Sequence, residues 1–271
     1  MREKVSACIT AGNEEEKIAD CLESVRWADE IVVVDSFSTD RTAEICRRYT
    51  DRVYQHEWLG YIGQKNLAKD LAQNPWVLFL DADEVISPDL RDEILDEMTS
   101  ARCAQVAGYE FPRMVKYLGR WIRRGDWYPD VKLRLFRKDR GRCCGEEPHD
   151  RIVVEGRVKR LNSPLYHFTY TDVADQVGTI NRFSTITAVG HHKRGRRFRY
   201  SDLWFRPVFR FFRGYILKRG FLDGIPGLVV AVTVAYGVFI KYAKLWEMEL
   251  QDRTAAKTSK PPTGPGQASD Q

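Results

Sequence analysis

The sequence predicts an α/β fold, a mixed and largely parallel sheet with helices on both faces. Strand-like and helix-like segments alternate with short links over roughly the first hundred residues, which is the pattern of βα units. Two strand-like segments, 30–35 (EIVVVD) and 76–80 (WVLFL), are continuous apolar runs, as expected for strands that are covered on both faces. The chain has 271 residues, 43% of them hydrophobic, which is enough for one large domain.

The first half of the chain supplies the alternating elements in order. Strands are predicted over 4–10, 30–35, 52–55 and 76–80, and helices over 14–27, 38–49, 62–73 and 87–98. The last of these helices begins well, because Ser87 suits the N-cap and Pro88 suits the first helical position.

The pattern changes in the second half. From Gly108 to about Val154 the chain has short, aromatic β-like runs that fit an extension of the sheet, and 172–189 has helical spacing. The end of the chain is polar and rich in Pro and Gly, which predicts a disordered tail. The predicted divisions are a main domain over 1–170 with halves 1–107 and 108–170, a helical membrane-associating region over 171–250, and a tail over 251–271.

Charge and cysteine content indicate the setting of the protein. The net charge of +5 conceals eleven Lys or Arg against one acid, Asp202, between Arg182 and Arg219, so this segment favours an anionic partner such as a membrane, nucleic acid or phosphorylated glycan. No nucleic-acid module surrounds it, and we expect no nucleic-acid partner. The six cysteines form no CxxC pair and the start of the chain has no apolar signal-peptide core, which predicts a cytoplasmic protein.

The basic segment has the pattern of a membrane-surface helix. Arg206, Arg210 and Arg213 recur at intervals that place them on one helical face, where they could contact lipid headgroups. A docked helix with a solvated charged stripe is the alternative. The uncharged run 224–240 is shorter than the ~20 residues of a spanning helix, so an interfacial or re-entrant helix is favoured. The predicted location is cytoplasmic, with peripheral or monotopic attachment to the inner membrane.

Acidic residues stand at the ends of two predicted strands. Asp35 ends one strand, and Asp81 and Asp83 follow another, where ligands of parallel sheets usually bind. Residues i and i+2 of an extended segment point the same way, so Asp81 and Asp83 are predicted to share a side. Their oxygens suit Mg²⁺ or Mn²⁺, which often complete their shells with substrate phosphates. The alternative is that these acids are only the solvated end of a strand.

Several stretches together resemble one family. Three stretches together resemble the nucleotide-binding half of inverting glycosyltransferases of family 2, which have the GT-A, Rossmann-like fold. They are ITAGNEEEKIADCLESVRWADEIVVVDSFSTDRT, which begins with ITAGNEEE at the end of the first strand, GYIGQKNLA and WVLFLDADE. WYPDVKLRLFRK, PHDRIVVEG and GFLDGIPGL resemble the bacterial branch that adds sugars to the lipopolysaccharide core. The similarity covers roughly residues 4–247.

The resemblance implies roles for individual residues. By spacing alone, Asn13 and Glu14 could equally cap a helix. The resemblance implies that the nucleoside pocket and its surroundings are formed by Thr10, Asn13, Glu14, Asp35, Lys65 and Asn66. Asp83 would be the direct metal ligand of the DxD motif, and Asp81 would be shared between the metal and the sugar-nucleotide. The chain departs from the family pattern at Phe37, where a Gly is often found.

Inverting transfer also needs a general base that deprotonates the acceptor hydroxyl. The stretch CCGEEPHD offers Asp150 first, with Glu147 and Glu146 behind it, and His149 as an extra metal or phosphate contact. The branch usually has His-Glu where this chain has His149 and Asp150. These acids could instead pair with the basic surface segment 137–142.

The sequence therefore predicts a metal-dependent glycosyltransferase that uses Mg²⁺ or Mn²⁺, a UDP-linked sugar and a lipopolysaccharide-core or related glycolipid acceptor. A sugar nucleotidyltransferase would normally have a Gly-rich, basic phosphate loop near its start, where this chain is acidic. A non-catalytic membrane adaptor would leave the acids idle and would bind no nucleotide.

Overall fold

The fold is given by a computed structural model that describes residues 2–146 and 149–258. The strands are β1 Val5–Ala11, β2 Glu30–Asp35, β3 Val53–Gln55, β4 Trp76–Asp81, β5 Glu84–Ile86, β6 Gly108–Tyr117, β7 Arg120–Trp121, β8 Asp130–Arg137, β9 Gly141–Glu146, β10 His149–Val154, β11 Val158–Arg160 and β12 Leu165–His167. The helices are α1 Ile18–Ser24, α2 Thr42–Arg47, α3 Gly60–Leu71, α4 Pro88–Thr99, α5 Val173–Lys193, α6 Tyr200–Phe212 and α7 Gly224–Thr258. The strands and helices predicted for the first half are all present, with shifted ends.

The described strands form one large mixed sheet and a separate hairpin. The order along the large sheet is β3-β2-β1-β4-β8-β6-β12-β5, with β7 and β11 also paired to β6. Strands β3, β2, β1 and β4 run parallel. Strand β8 runs antiparallel to both of its neighbours, β4 and β6. The predicted mixed, largely parallel sheet is confirmed, and the second half extends it as expected.

Apolar layers cover both faces of the sheet. On one face, α1, α2 and α4 pack side chains such as Leu22 and Ile94 against the strands. On the other face, α3 and the β9–β10 hairpin contribute Ala68 and Cys143. Both faces of β4 are buried, as its uninterrupted apolar sequence predicts.

The loop after β2 contains a residue in the left-handed backbone region. Phe37 has a φ of 53°, a conformation that favours glycine because it has no Cβ. Its ring is 53% exposed. The family's preference for Gly at this position therefore has a local physical reason, and the phenylalanine here carries backbone strain.

Replacing Phe37 with glycine is expected to stabilise the protein by about 0.5–1 kcal/mol. The left-handed conformation costs a non-glycine residue ~1–2 kcal/mol, and the extra freedom of glycine in the unfolded chain cancels part of that gain. Urea denaturation of the two proteins measures the difference. A lower midpoint for Phe37→Gly would show that the ring packs more favourably than its exposure indicates.

The C-terminal region consists of three helices that pack together. Helix α7 contacts both α5 and α6, and its Tyr242 and Leu245 are buried. The helix is 35 residues long and continues past residue 250 to Thr258, so helical structure extends into the predicted tail of 251–271. The rest of that predicted tail, 259–271, lies outside the described residues. Among the described residues, one helical segment, Gly220–Ala255, is long and apolar enough to cross a membrane.

The three arginines predicted to face lipid headgroups have partners within the protein. Arg206 pairs with Asp202. Arg210 Nε lies 2.9 Å from Asp126 Oδ2, and Arg213 Nη1 lies 3.6 Å from Asp126 Oδ1. Asp126 is almost fully buried and is also reached by Lys218. Arg210 on α6 and Arg213 directly after it therefore tie this part of the chain to Asp126 of the main domain.

Candidate functional site

The strand ends that carry the predicted acids meet at one edge of the sheet. Thr10 on β1 is in register with Asp81 on β4, and Ala11 is in register with Asp35 on β2. The three strands are neighbours and parallel, so their carboxyl ends share an edge. Sequence reasoning placed Asp35 and Asp81 at this edge, and the structure does the same.

Asp81 is neutralised by cations of the protein itself. Its Oδ1 lies 2.9 Å from Lys65 Nζ, and its Oδ2 lies 2.8 Å from Arg134 Nη2. Burial alone would raise the pKa of the Asp81 carboxyl, but the charges of Lys65 and Arg134 outweigh burial and hold that pKa well below its usual value. The repulsion expected between crowded acids is therefore relieved at Asp81 without an added ion.

The ion pairs continue on both sides of Asp81 as one chain of alternating charge. Lys65, which is buried in α3, also lies 2.8 Å from Asp150 Oδ2. On the other side, Arg134 lies 2.7 Å from Glu84 Oε1, and Glu84 is fully buried. Arg113 then lies 3.1 Å from Glu84 Oε1 and 2.7 Å from Asp130 Oδ2. This ion-pair chain joins α3, the hairpin, β4, β8 and β6 at the strand ends.

Asp83 has a different environment from Asp81. Ala82 and Asp83 form a turn between β4 and β5, so the prediction of an extended i, i+2 pair is wrong at this point. Asp83 Oδ2 lies 3.1 Å from His167 Nε2, and the ring of His167 also contacts the Thr169 hydroxyl. Burial would raise the pKa of Asp83, but the hydrogen bond and charge of His167 lower it.

Asp83 and His167 are chemically suited to hold a divalent ion. A carboxylate oxygen and an imidazole nitrogen are both ligands of Mn²⁺-like ions, and Mg²⁺ sites commonly use one or two protein ligands with water and phosphate completing the shell. Among the described residues, no group of three or more His, Cys, Asp or Glu side chains is arranged around a metal position. Asp83 and His167 could therefore supply two ligands of such an ion, with the rest of its shell coming from water or substrate oxygens.

The loop after β1 lies close to these acids. Asn13 has a φ of 55°, which asparagine tolerates, and its Oδ1 accepts a hydrogen bond of 2.8 Å from the Thr39 backbone N–H. The pKa of Glu14 is raised by burial and also by the charges of Asp83, Asp40 and Asp81, against a lowering effect of Lys17. Glu14 therefore lies close enough to both motif acids to feel their charges.

Two predicted nucleotide contacts have structural partners instead. Asp35 is fully buried, and its Oδ2 accepts hydrogen bonds from the Ser38 N–H and from Gln55 Nε2, each 3.1 Å long. The amide of Asn66 donates to the Cys143 carbonyl at 2.9 Å and accepts from the Cys143 N–H at 3.0 Å. Asp35 thus orders the loop after β2, and Asn66 anchors the hairpin to α3.

The hairpin brings the predicted base to the site. Asp150 lies on β10, in register with Gly145 on β9. Its carboxylate contacts Lys65, which is a residue of α3. Glu147 lies outside the described residues, as do the side chains of Glu146 and His149. Among the predicted residues whose side chains are described, Asp150, Lys65 and Asp81 are therefore in direct contact.

Sequence reasoning missed several members of this site. Arg134 lies in the strand-like stretch VKLRLFRK, where a basic residue at a buried position indicates a hidden acidic partner. Glu84 follows the two motif aspartates directly and carried a similar signal. His167 stands alone in the stretch LYHF, and no local pattern distinguishes it.

Comparison with known proteins gives the family. The model of glycosyl transferase family 2 matches residues 6–154, more than half of the chain. The lipopolysaccharide core biosynthesis glycosyltransferase LpsC of Rhizobium meliloti is 33% identical over 250 residues, covering 90% of this chain and 92% of LpsC. An uncharacterised glycosyltransferase of Rickettsia typhi is 31% identical over 260 residues, covering 92% of this chain and 89% of that protein.

Two solved structures are also similar to the chain. S. aureus TarS in complex with UDP-GlcNAc has 16% sequence identity and a TM-score of 0.48, covering 92% of both chains. Glucosyl-3-phosphoglycerate synthase of Mycobacterium tuberculosis in complex with Mn²⁺ and UDP-glucose has 19% identity and a TM-score of 0.34, covering 42% of this chain and 44% of that one. From the family match and the full-length relatives, the chain belongs to glycosyltransferase family 2.

Proposed function

We propose that the protein transfers a sugar, with inversion, from a UDP-linked donor to a lipopolysaccharide-core or related glycolipid acceptor. The observation that carries the proposal is the contrast between Asp81, neutralised by Lys65 and Arg134, and Asp83, whose ion-pair partner among the described residues is His167. The acceptor class is supported by the 33% identity to LpsC over 90% of the chain. In this proposal, 1–107 forms the donor side and 108–170 the acceptor side.

Asp83 and His167 are proposed to hold Mg²⁺ or Mn²⁺. Both side chains are available to an ion because neither is part of the ion-pair chain described above. A bound divalent ion would neutralise the leaving diphosphate. Asp81 acts through its ion pairs, which fix the position of the turn that presents Asp83. This proposal changes the roles expected for Asp81 and for His149 as direct metal ligands.

The nucleoside is proposed to bind over the loop after β1. Thr10 and Glu14 lie at the edge where the strand ends meet, and Asn13 fixes the loop to Thr39. Asp35 and Asn66 support this pocket indirectly, by ordering the loop after β2 and by holding the hairpin. Lys65, which pairs with both Asp81 and Asp150, is proposed to lie near the nucleotide.

Asp150 is proposed as the general base. Its carboxylate lies 2.8 Å from Lys65 Nζ, and a positioned carboxylate can accept a proton from an acceptor hydroxyl. Its side chain is 18% exposed, so one oxygen can meet an acceptor while the other contacts Lys65. The Cys143 thiol lies 3.7 Å from the same carboxylate.

Asp150→Asn is expected to lower kcat by about 10²–10⁴-fold, the usual contribution of a general base, while Mn²⁺-dependent nucleotide binding stays intact. The assay follows transfer from UDP-glucose, UDP-galactose and UDP-N-acetylglucosamine to lipopolysaccharide with a truncated core. Asp139→Asn, at an exposed position on the β8–β9 turn, is the matched control. Near-normal turnover of Asp150→Asn would remove Asp150 from the reaction.

Membrane attachment at the cytoplasmic face is proposed through the C-terminal helices. Exposed apolar side chains occur on α6, on the segment 213–223 that follows it and at the beginning of α7; they include Trp204, Phe205, Phe209, Phe212, Leu217, Phe221 and Ile225. Such a surface is typical of helices that lie in the membrane interface. Because α7 packs along α5 and α6, we propose that it lies at the interface with them and does not span the bilayer.

A further inference from the structure

A groove of about 930 Å³ lies between the segment 196–199 and helix α6. Its polar side is lined by Arg196, Arg197, Arg199 and Arg206, with Asp202 as the acid among the lining residues. Its other side is lined by Phe205, Val208 and Phe209. The groove is remote from the strand ends and takes no part in the proposed transfer reaction.

The arginines of the groove carry excess positive charge. Arg206 pairs with Asp202, and Arg196 lies 3.6 Å from the same carboxylate and donates a 2.9 Å hydrogen bond to the Tyr242 hydroxyl. Arg197 and Arg199 are exposed, and neither has a carboxylate partner within the described part of the chain. Two arginines are thus held in place by Asp202 and Tyr242, and two are left to contact an external anion.

The apolar side of the groove faces outward. Phe205 is 75% exposed, Phe209 is 63% exposed and Val208 is 54% exposed, values that are costly for large side chains in water. The same surface continues along α6 through Trp204 and Phe212. A ligand that contacts both the arginines and the apolar side chains of the groove therefore has an anionic head and a long apolar body. A free phosphate ion or a nucleic acid lacks the apolar body and fits the groove less well.

We propose that this groove binds the phosphate headgroup of an anionic membrane lipid, whose acyl chains lie along the exposed face of α6. Guanidinium groups match phosphate oxygens in geometry and charge, and basic side chains next to an interfacial helix recognise anionic leaflets. The inference rests on the membrane attachment proposed above, and not on the transfer reaction.

The test is flotation of the full chain with vesicles of phosphatidylcholine alone or mixed with phosphatidylglycerol, without nucleotide. The wild-type protein is expected to bind the anionic vesicles more tightly. Arg197→Gln with Arg199→Gln is expected to weaken that binding about 25-fold, since each basic side chain near an anionic surface contributes roughly fivefold, and to leave binding to neutral vesicles unchanged. Phe205→Ser with Phe209→Ser is expected to weaken binding to both.

A matched control is available in Arg47→Gln with Arg157→Gln, which removes the same charge at exposed positions of the main domain. The inference is overturned if the control and the groove variant lose the same affinity, or if wild-type protein binds both kinds of vesicle equally. Binding of UDP, measured separately, reports on the proposed transferase function, so failure of one leaves the other standing. Unchanged melting temperatures verify that each variant is folded.

Discussion

Asp83→Asn is expected to reduce turnover about a thousandfold or more. The neutral amide loses the charge that a divalent ion needs, and metal stabilisation of a leaving diphosphate is worth several kcal/mol, where each ~1.4 kcal/mol is tenfold in rate. Turnover with UDP-sugars in saturating Mn²⁺ measures the rate. The amplitude of the free Mn²⁺ signal in electron paramagnetic resonance measures ion binding directly.

Asp83→Asn has a matched control in Asp51→Asn, at an exposed position in the loop before β3. His167→Gln is expected to behave like Asp83→Asn, because it removes the second proposed donor. Full Mn²⁺ binding in Asp83→Asn, in protein with a wild-type melting temperature, would place the ion elsewhere.

Arg134→Met is expected to destabilise the protein by about 3 kcal/mol or more, the largest effect on stability. Removing one partner of a buried ion pair leaves the other charge uncompensated, at a typical cost of ~3–5 kcal/mol. Arg134 pairs with two acids, Glu84 and Asp81. After the substitution, the fully buried Glu84 still pairs with Arg113, and Asp81 still pairs with Lys65. Urea denaturation at neutral pH measures the loss, and Arg140→Met, at an exposed position, is the control and should change stability by less than ~0.5 kcal/mol.

The effect of Arg134→Met has a defined pH dependence. In the folded protein the pKa of Asp81 is lowered, so its contribution to stability is complete above the usual aspartate pKa near ~4 and is lost only as the pH falls toward the lowered folded value. Without Arg134 that lowering is smaller, and less stability remains to be lost in acid. The difference between wild type and variant should therefore shrink as the pH falls below ~4. A difference that is constant with pH would mean that Arg134 acts through packing alone.

The architecture of the first half was predictable because its signals are local. Continuous apolar runs such as 30–35 and 76–80 are strands buried on both faces, and the N-cap at Ser87 is present, with its hydroxyl accepting a 3.1 Å hydrogen bond from the Leu90 N–H. Strand ends of neighbouring parallel strands must share an edge, so the placement of Asp35 and Asp81 at one edge of the sheet followed from topology.

The pairing of charges within the site could not be predicted from the sequence. Lys65, Asp81, Arg134 and Asp150 are brought together by α3, β4, β8 and the hairpin, over separations that no spacing rule covers. Asp81 and Asp83 read as equivalent ligands in the sequence, and only the turn at Ala82 and the packing of β12 give them different partners. The pairing of Arg210 and Arg213 with Asp126 could not be predicted either, since Asp126 is remote from them in the sequence.

Calorimetric titration of UDP, GDP and ADP into the detergent-solubilised protein with Mn²⁺, followed by the same titrations in EDTA, tests whether nucleotide binding needs a divalent ion. We expect that UDP binds in Mn²⁺ and that EDTA abolishes this binding, because the Asp83–His167 pair is proposed to hold the nucleotide through a divalent ion. This expectation would be contradicted by UDP binding that EDTA leaves unchanged, or by folded protein that binds none of the three nucleotides, which is the behaviour of a membrane adaptor.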